Sequence, residues 1–127
     1  MDVYAFQRAV LEQNADAMAP YFTEDAVVNW HCTNEQFTAK EYIRANCEYP
    51  GDWDGEVERV HEFPAGLVTV THVYPKDKSM SFHVTSFFTL RNDKILVLDE
   101  YWADDGPAPQ WRKDMKIGQP IKKGTAF

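Results

Sequence analysis

The chain has 127 residues, 44% of them hydrophobic and 14% aromatic, and a net charge of −7. That is one domain's worth of chain with enough apolar side chains for a core, which excludes a disordered polymer. The acidic balance argues against nucleic acid as the main partner, and no apolar run approaches the ~20 residues of a membrane span.

Residues 3–13 carry Val3, Phe6 and Val10 on one helical face, which predicts a first helix. Asn14 ends it and caps a short second helix through Ala15, Ala17 and Met18, which Pro20 closes. A strand over residues 26–32 follows. Thr38-Ala39-Lys40-Glu41 is a capping box, so a helix carrying Tyr42, Ile43 and Cys47 starts there and stops at Tyr49-Pro50-Gly51-Asp52. Four strands come next, over residues 56–63, 67–74, 80–90 and 95–102, separated by turn-rich segments. Residues 103–127 read as an irregular tail anchored by Trp111, and the whole chain as a single domain. Beyond Trp111 the bases Arg112, Lys113, Lys116, Lys122 and Lys123 outweigh Asp114, so the tail contributes +4 and the rest of the chain −11. This asymmetry predicts a tail packed on its own acidic body or on a second copy.

The N-terminus, Met1-Asp2-Val3-Tyr4, lacks the basic and apolar stretches of a signal peptide, so a cytoplasmic protein with free thiols at Cys32 and Cys47 is expected. The histidines, His31, His61, His72 and His83, show no HxH or HxxxH spacing, and the cysteines no CxxC, so neither a metal site nor a cofactor is expected.

The strand over residues 80–90 alternates cleanly. Met80, Phe82, Val84, Phe88 and Leu90 share a face that only Ser86 interrupts, while Ser81, His83, Thr85, Phe87 and Thr89 share the other. On the last strand Glu100 shares a face with Leu96, Leu98 and Trp102. A hairpin pairing Leu90 with Leu96 sets Phe88 against Leu98, Ser86 against Glu100 and Val84 against Trp102. A slip of one residue would turn Asp99 and Tyr101 inward instead. A carboxylate on an apolar face has two readings: a buried Glu satisfied by its neighbours, or an acid/base with its pKa raised by desolvation.

Helices first and an antiparallel meander after them predict an α+β fold with helices over one face of a sheet of five or six strands. This order resembles the nuclear-transport-factor-2-like superfamily, which includes ketosteroid isomerases and SnoaL-like polyketide cyclases. The resemblance rests on Phe22-Thr23-Glu24-Asp25-Ala26-Val27-Val28, the helix capped at Thr38 and Ile95-Leu96-Val97-Leu98-Asp99-Glu100-Tyr101-Trp102, within residues 3–112. It implies a cystatin-like cone: a curved, mainly antiparallel sheet that encloses an apolar pocket and dimerises through its outer face. Carried over residue by residue, it puts Phe6 where ketosteroid isomerases use a tyrosine, Trp30 near their general-base aspartate and Ser86 near their protonated aspartate. All three roles are lost or weakened, so the chain is not expected to be a ketosteroid isomerase.

The expected pocket residues are Glu100, as polar anchor or acid/base, with Ser86 beside it. Phe6, Trp30, Phe82, Val84, Phe88, Leu98 and Trp102 are the apolar wall, and His72 joins them because it shares a face with Val68 and Val70. His72 is expected opposite Phe82, too far along the sheet for a dyad with Glu100. The expected ligand is small and apolar. The competing functions are a cofactor-independent isomerase, cyclase or dehydratase, and a non-catalytic binding, dimerisation or protein-interaction module.

Overall fold

The computed structural model describes residues 1–122. Three helices come early: α1 (Val3–Leu11), α2 (Ala15–Met18) and α3 (Ala39–Glu48). Asp2 caps α1 through the Ala5 amide, Asn14 caps α2 through Ala17, and Thr38 with Glu41 completes the capping box of α3. Pro20 falls in a single 3-10 turn, Ala19–Tyr21, that delivers the chain to the sheet.

The strands are β1 (Phe22–Trp30), β2 (Glu35–Thr38), β3 (Trp53–Phe63), β4 (Gly66–Pro75), β5 (Phe82–Arg91) and β6 (Lys94–Asp104). They form one sheet in the order β2-β1-β6-β5-β4-β3, antiparallel except for the parallel pair β1–β6. Register shifts between Phe22 and Val27, Val57 and Arg59, and Thr89 and Leu90 bend the strands. The helices α1 and α3 lie against the inner face, α1 on β3 and α3 on β1. Close approach within the sheet needs glycine at Gly66, where a Cβ would sit 1.7 Å from the Phe88 carbonyl oxygen.

Four sequence expectations need correction. Strand β2 was not anticipated: it is a four-residue edge segment, Glu-Gln-Phe-Thr, with no apolar alternation to reveal it. In the last hairpin Leu90 pairs with Ile95 rather than Leu96, because the shift at Thr89 and Leu90 absorbs one residue. Ile95 is therefore fully buried, and the expected pairs Phe88–Leu98, Ser86–Glu100 and Val84–Trp102 resume beyond it. On β4 the faces are reversed. Leu67, Thr69, Thr71 and Val73 point inward, and Val68, Val70 and His72 outward. His72 pairs with His83, and Val73 with Phe82. Finally, Trp111 is not buried as an anchor among the described residues: it lies on a short helix, α4 (Gln110–Asp114), and is 61% exposed. Lys123 lies outside the described residues, and no described helix is long and apolar enough to cross a membrane.

The core sits between α1 and the middle of the sheet. Phe6 makes edge contacts with Tyr21, Phe22 and Phe88 at centroid distances of 5.3, 5.7 and 5.8 Å, and Met18, Val28, Ile95 and Leu98 surround the cluster, fully buried. With Phe6 1% exposed, its loss would leave a cavity that such interlocking rings cannot close. Phe6→Ala is expected to cost about 3–5 kcal/mol, read as a fall in the urea midpoint at unchanged slope. A cost within the ordinary surface range would contradict this packing.

Candidate functional site

Where the core ends, the cone stays open. A cavity of about 370 Å³ lies between α1, α3 and the sheet, within the usual size range of small-ligand sites. Its aromatic wall is Trp30, Trp53, Phe82 and Trp102, with Tyr49 near α3, and Val10, Leu11, Val73 and Val84 fill in between. Polar edges come from Gln7, Gln13 and Asn46. Gln13 Nε2 donates to the Asn46 and Tyr49 carbonyls at 2.9 and 2.7 Å, and Asn46 Nδ2 donates to the Val10 carbonyl at 3.0 Å. These bonds tie the C-terminal ends of α1 and α3 together.

Glu100 is the one carboxylate held deep in this wall. It is 4% exposed, in contrast to Asp104, the exposed acid that also borders the cavity. The β5–β6 register sets Ser86 directly opposite, and Ser86 Oγ donates to Oε2 at 2.8 Å. The parallel β1–β6 pairing sets Trp30 beside it on the other flank, and Trp30 Nε1 donates to Oε1 at 3.1 Å. Burial pushes the Glu100 pKa above its usual 4.5, and the two donors only partly offset that rise. The Trp102 indole N–H is close enough to favour the charged form, but it makes no hydrogen bond of normal geometry. Burial, followed by the charge of Glu100, pushes the Tyr42 pKa well above 10.0.

Of the residues expected in the pocket, Glu100, Trp30, Phe82, Val84 and Trp102 line the cavity. Ser86 stands behind Glu100 and is fully buried. Phe6, Phe88 and Leu98 do not line it; they are core, sealed under α1. His72 is excluded by the reversed face of β4. Sequence reasoning missed Trp53, Val73, the α1 residues Gln7 and Leu11, and Gln13 in the turn after α1. Leu11 and Gln7 were recoverable from the helical period of α1, one turn apart on the face of Val3. Val73 was lost with the parity of β4.

The outer face gathers different chemistry. His72 and His83 stack with centroids 4.7 Å apart, and Asp105, Ser81, Glu56 and Glu58 surround them. On the same face His31 stacks on Tyr101 at 4.4 Å and bonds Asp99 at 2.7 Å.

The raised pKa of Glu100 makes stability depend on pH. A carboxyl that holds its proton more tightly when folded contributes fully below its unfolded pKa, and the contribution is lost as pH rises through the folded value. The melting temperature of the wild type relative to Glu100→Gln should therefore fall as pH rises from the usual carboxyl value of 4.5 through neutrality. A constant difference across that range would show a carboxylate that titrates normally.

No curated protein is significantly similar to the chain in sequence. Among solved structures it is similar to a putative ketosteroid isomerase from Kribbella flavida DSM 17836, 19% identical with a TM-score of 0.76, covering 98% of this chain and 93% of that one. An NTF-2-like protein of unknown function from Burkholderia xenovorans LB400 is 20% identical with a TM-score of 0.77, covering 94% and 92%. A third, from Catenulispora acidiphila DSM 44928, has a ketosteroid isomerase-like fold and was solved in complex with trimethylamine; it is 13% identical with a TM-score of 0.64, covering 78% and 82%. These identities carry the fold alone. The family model of the SnoaL-like domain matches residues 3–105, nearly the whole cone, and the chain belongs to that SnoaL-like family.

Proposed function

We propose that the protein binds a small, mostly apolar molecule in the cone cavity, oriented by one hydrogen-bond donor directed at Glu100. The observation that carries this reading is the buried carboxylate set among Trp30, Trp102 and Phe82 at the wall of a 370 Å³ cavity. Apolar walls supply the binding energy and a single polar group sets the orientation. A hydroxyl or a protonated amine suits the site, since each donates to a carboxylate and an amine also gains from the aromatic faces. The trimethylamine bound by the Catenulispora protein is in keeping with a cavity of this class.

Thermal-shift screening against apolar alcohols, ketones, lactones and tertiary amines tests the reading. Stabilisation by one chemical class is expected, with affinity reduced at least tenfold in Trp102→Ala and in Glu100→Gln for ligands that donate. No stabilisation by any class would mean that the cavity does not accept ligands of this kind.

The raised pKa of Glu100 favours a second reading, cofactor-independent proton transfer at a carbon next to a carbonyl. A ketone bound in the cavity would then exchange its α-protons with heavy water, followed by NMR, in the wild type and not in Glu100→Gln. Equal exchange in both proteins rules this out. The lost or weakened roles at Phe6, Trp30 and Ser86 argue against activity on a β,γ-unsaturated ketosteroid.

We also assign homodimerisation to the part of the outer sheet face around Phe87 and Tyr101, which are 41% and 44% exposed and form an edge contact. Sedimentation at micromolar concentration should give about twice 14.7 kDa, and Phe87→Asp should return the mass to that of one chain.

A further inference from the structure

Strands β3, β4 and β5 bring together a group of side chains that cavity binding does not use. Glu58, His72 and His83 each place one donor atom within 4.8 Å of the others. The hydrogen bonds behind them decide which ring nitrogens are free. Ser81 Oγ donates its single proton to Asp105 Oδ2 at 2.6 Å, so at its 2.7 Å contact with His72 Nε2 the hydroxyl accepts. In the neutral ring His72 therefore carries its proton on Nε2 and keeps the lone pair on Nδ1. Asp105 also faces His83 Nδ1 at 2.6 and 2.7 Å and can only accept there. Neutral His83 thus keeps its lone pair on Nε2, which points at Glu58 Oε1 only 3.0 Å away. Two acceptors at that distance need a proton or a cation between them. His72 Nδ1 likewise faces Glu56 Oε1 at 3.7 Å.

One aspartate thus orients both imidazoles from behind, His83 directly and His72 through Ser81, and turns both free lone pairs toward the glutamates. An outer carboxylate that fixes the ring tautomer is the usual support for a metal-bound histidine. The register shift that leaves Glu58 as the extra residue between Val57 and Arg59 sets it at a bulge, where side chains are re-aimed. We propose that His72, His83 and Glu58 form a divalent transition-metal site of the zinc class on the outer sheet face, with Asp105 and Ser81 as positioning residues. Two imidazoles and a carboxylate suit zinc, and leave its fourth position to water or to Glu56. Zinc bonds of about 2.0–2.2 Å require donors about 3.3–3.5 Å apart. The side chains must therefore draw together by about 1.5 Å, and one of the two imidazoles, stacked with 7° between their planes, must turn so that both lone pairs meet one ion. Their surface position permits this, at 27%, 36% and 40% exposed for His72, His83 and Glu58.

Calorimetric titration of the untagged full chain with Zn²⁺ tests the proposal. One ion per chain is expected, with micromolar or tighter affinity and a rise of several degrees in melting temperature. His72→Ala and His83→Ala should each weaken binding at least tenfold, and Asp105→Asn should weaken it about 10–100-fold without removing a ligand. His31→Ala, at a separate exposed histidine, should leave the affinity unchanged. Circular dichroism shows whether each variant is folded. For any that is not, Zn²⁺-induced shifts of the His72 and His83 ring resonances in the wild type supply the same readout. Absence of one-to-one binding would overturn the site, as would binding that survives in folded His83→Ala or disappears in His31→Ala.

Discussion

The antiparallel register of β5 on β6 is the constraint on which the rest of the molecule depends. It places Phe88 on Leu98 in the core, Ser86 on Glu100 beside the cavity and Val84 on Trp102 at the cavity wall. A strand alternates sides with every residue, so a slip of one would turn this whole series outward and bring Asp99 and Tyr101 in. The register shift at Thr89 and Leu90 absorbs the odd residue near the turn and lets the pairing beyond it hold.

Burying Glu100 then becomes tolerable because two neighbouring strands each supply a donor. Ser86 comes from β5 and Trp30 from β1, one to each carboxylate oxygen. A buried carboxylate without partners would cost several kcal/mol or take up a proton. With two donors it is satisfied yet still raised in pKa, since burial outweighs the bonds. A satisfied structural Glu and a ligand anchor are thus the same arrangement seen from two sides. What separates them is the cavity beside it, open rather than filled by Trp30 and Trp102.

The sheet divides the chemistry between its faces. Inside, one carboxylate stands among aromatic rings; outside, a stacked pair of histidines stands among several carboxylates. Both arrangements depend on strands that are distant in sequence. Ser86 and Glu100 are joined by one hairpin, which sequence counting can follow. Glu58, His72 and His83 need two further registers, one of them interrupted at Val57 and Arg59. Spacing along the chain therefore pointed away from a metal site, while the folded sheet assembles the donors for one.

The sequence by itself determined what local periodicity and capping can encode. The three early helices, the box at Thr38 and Glu41, four of the six strands nearly complete and the inward turn of Glu100 toward Ser86 were all legible. Each rests on residues within one element or one hairpin. Only the tertiary structure decided the rest. On β4, Val68 and Val70 looked like the buried face, yet pairing with β5 buries Thr69 and Thr71 and turns His72 outward. Apolar and β-branched polar residues alternate there with little contrast, so periodicity could not choose the side. Phe6, Phe88 and Leu98 looked like pocket wall, yet α1 seals them into the core, because an apolar residue carries no mark of whether its neighbour is protein or an empty volume. Where a cavity opens is set by how far the helices stand from the sheet, and that distance is a property of the packed whole.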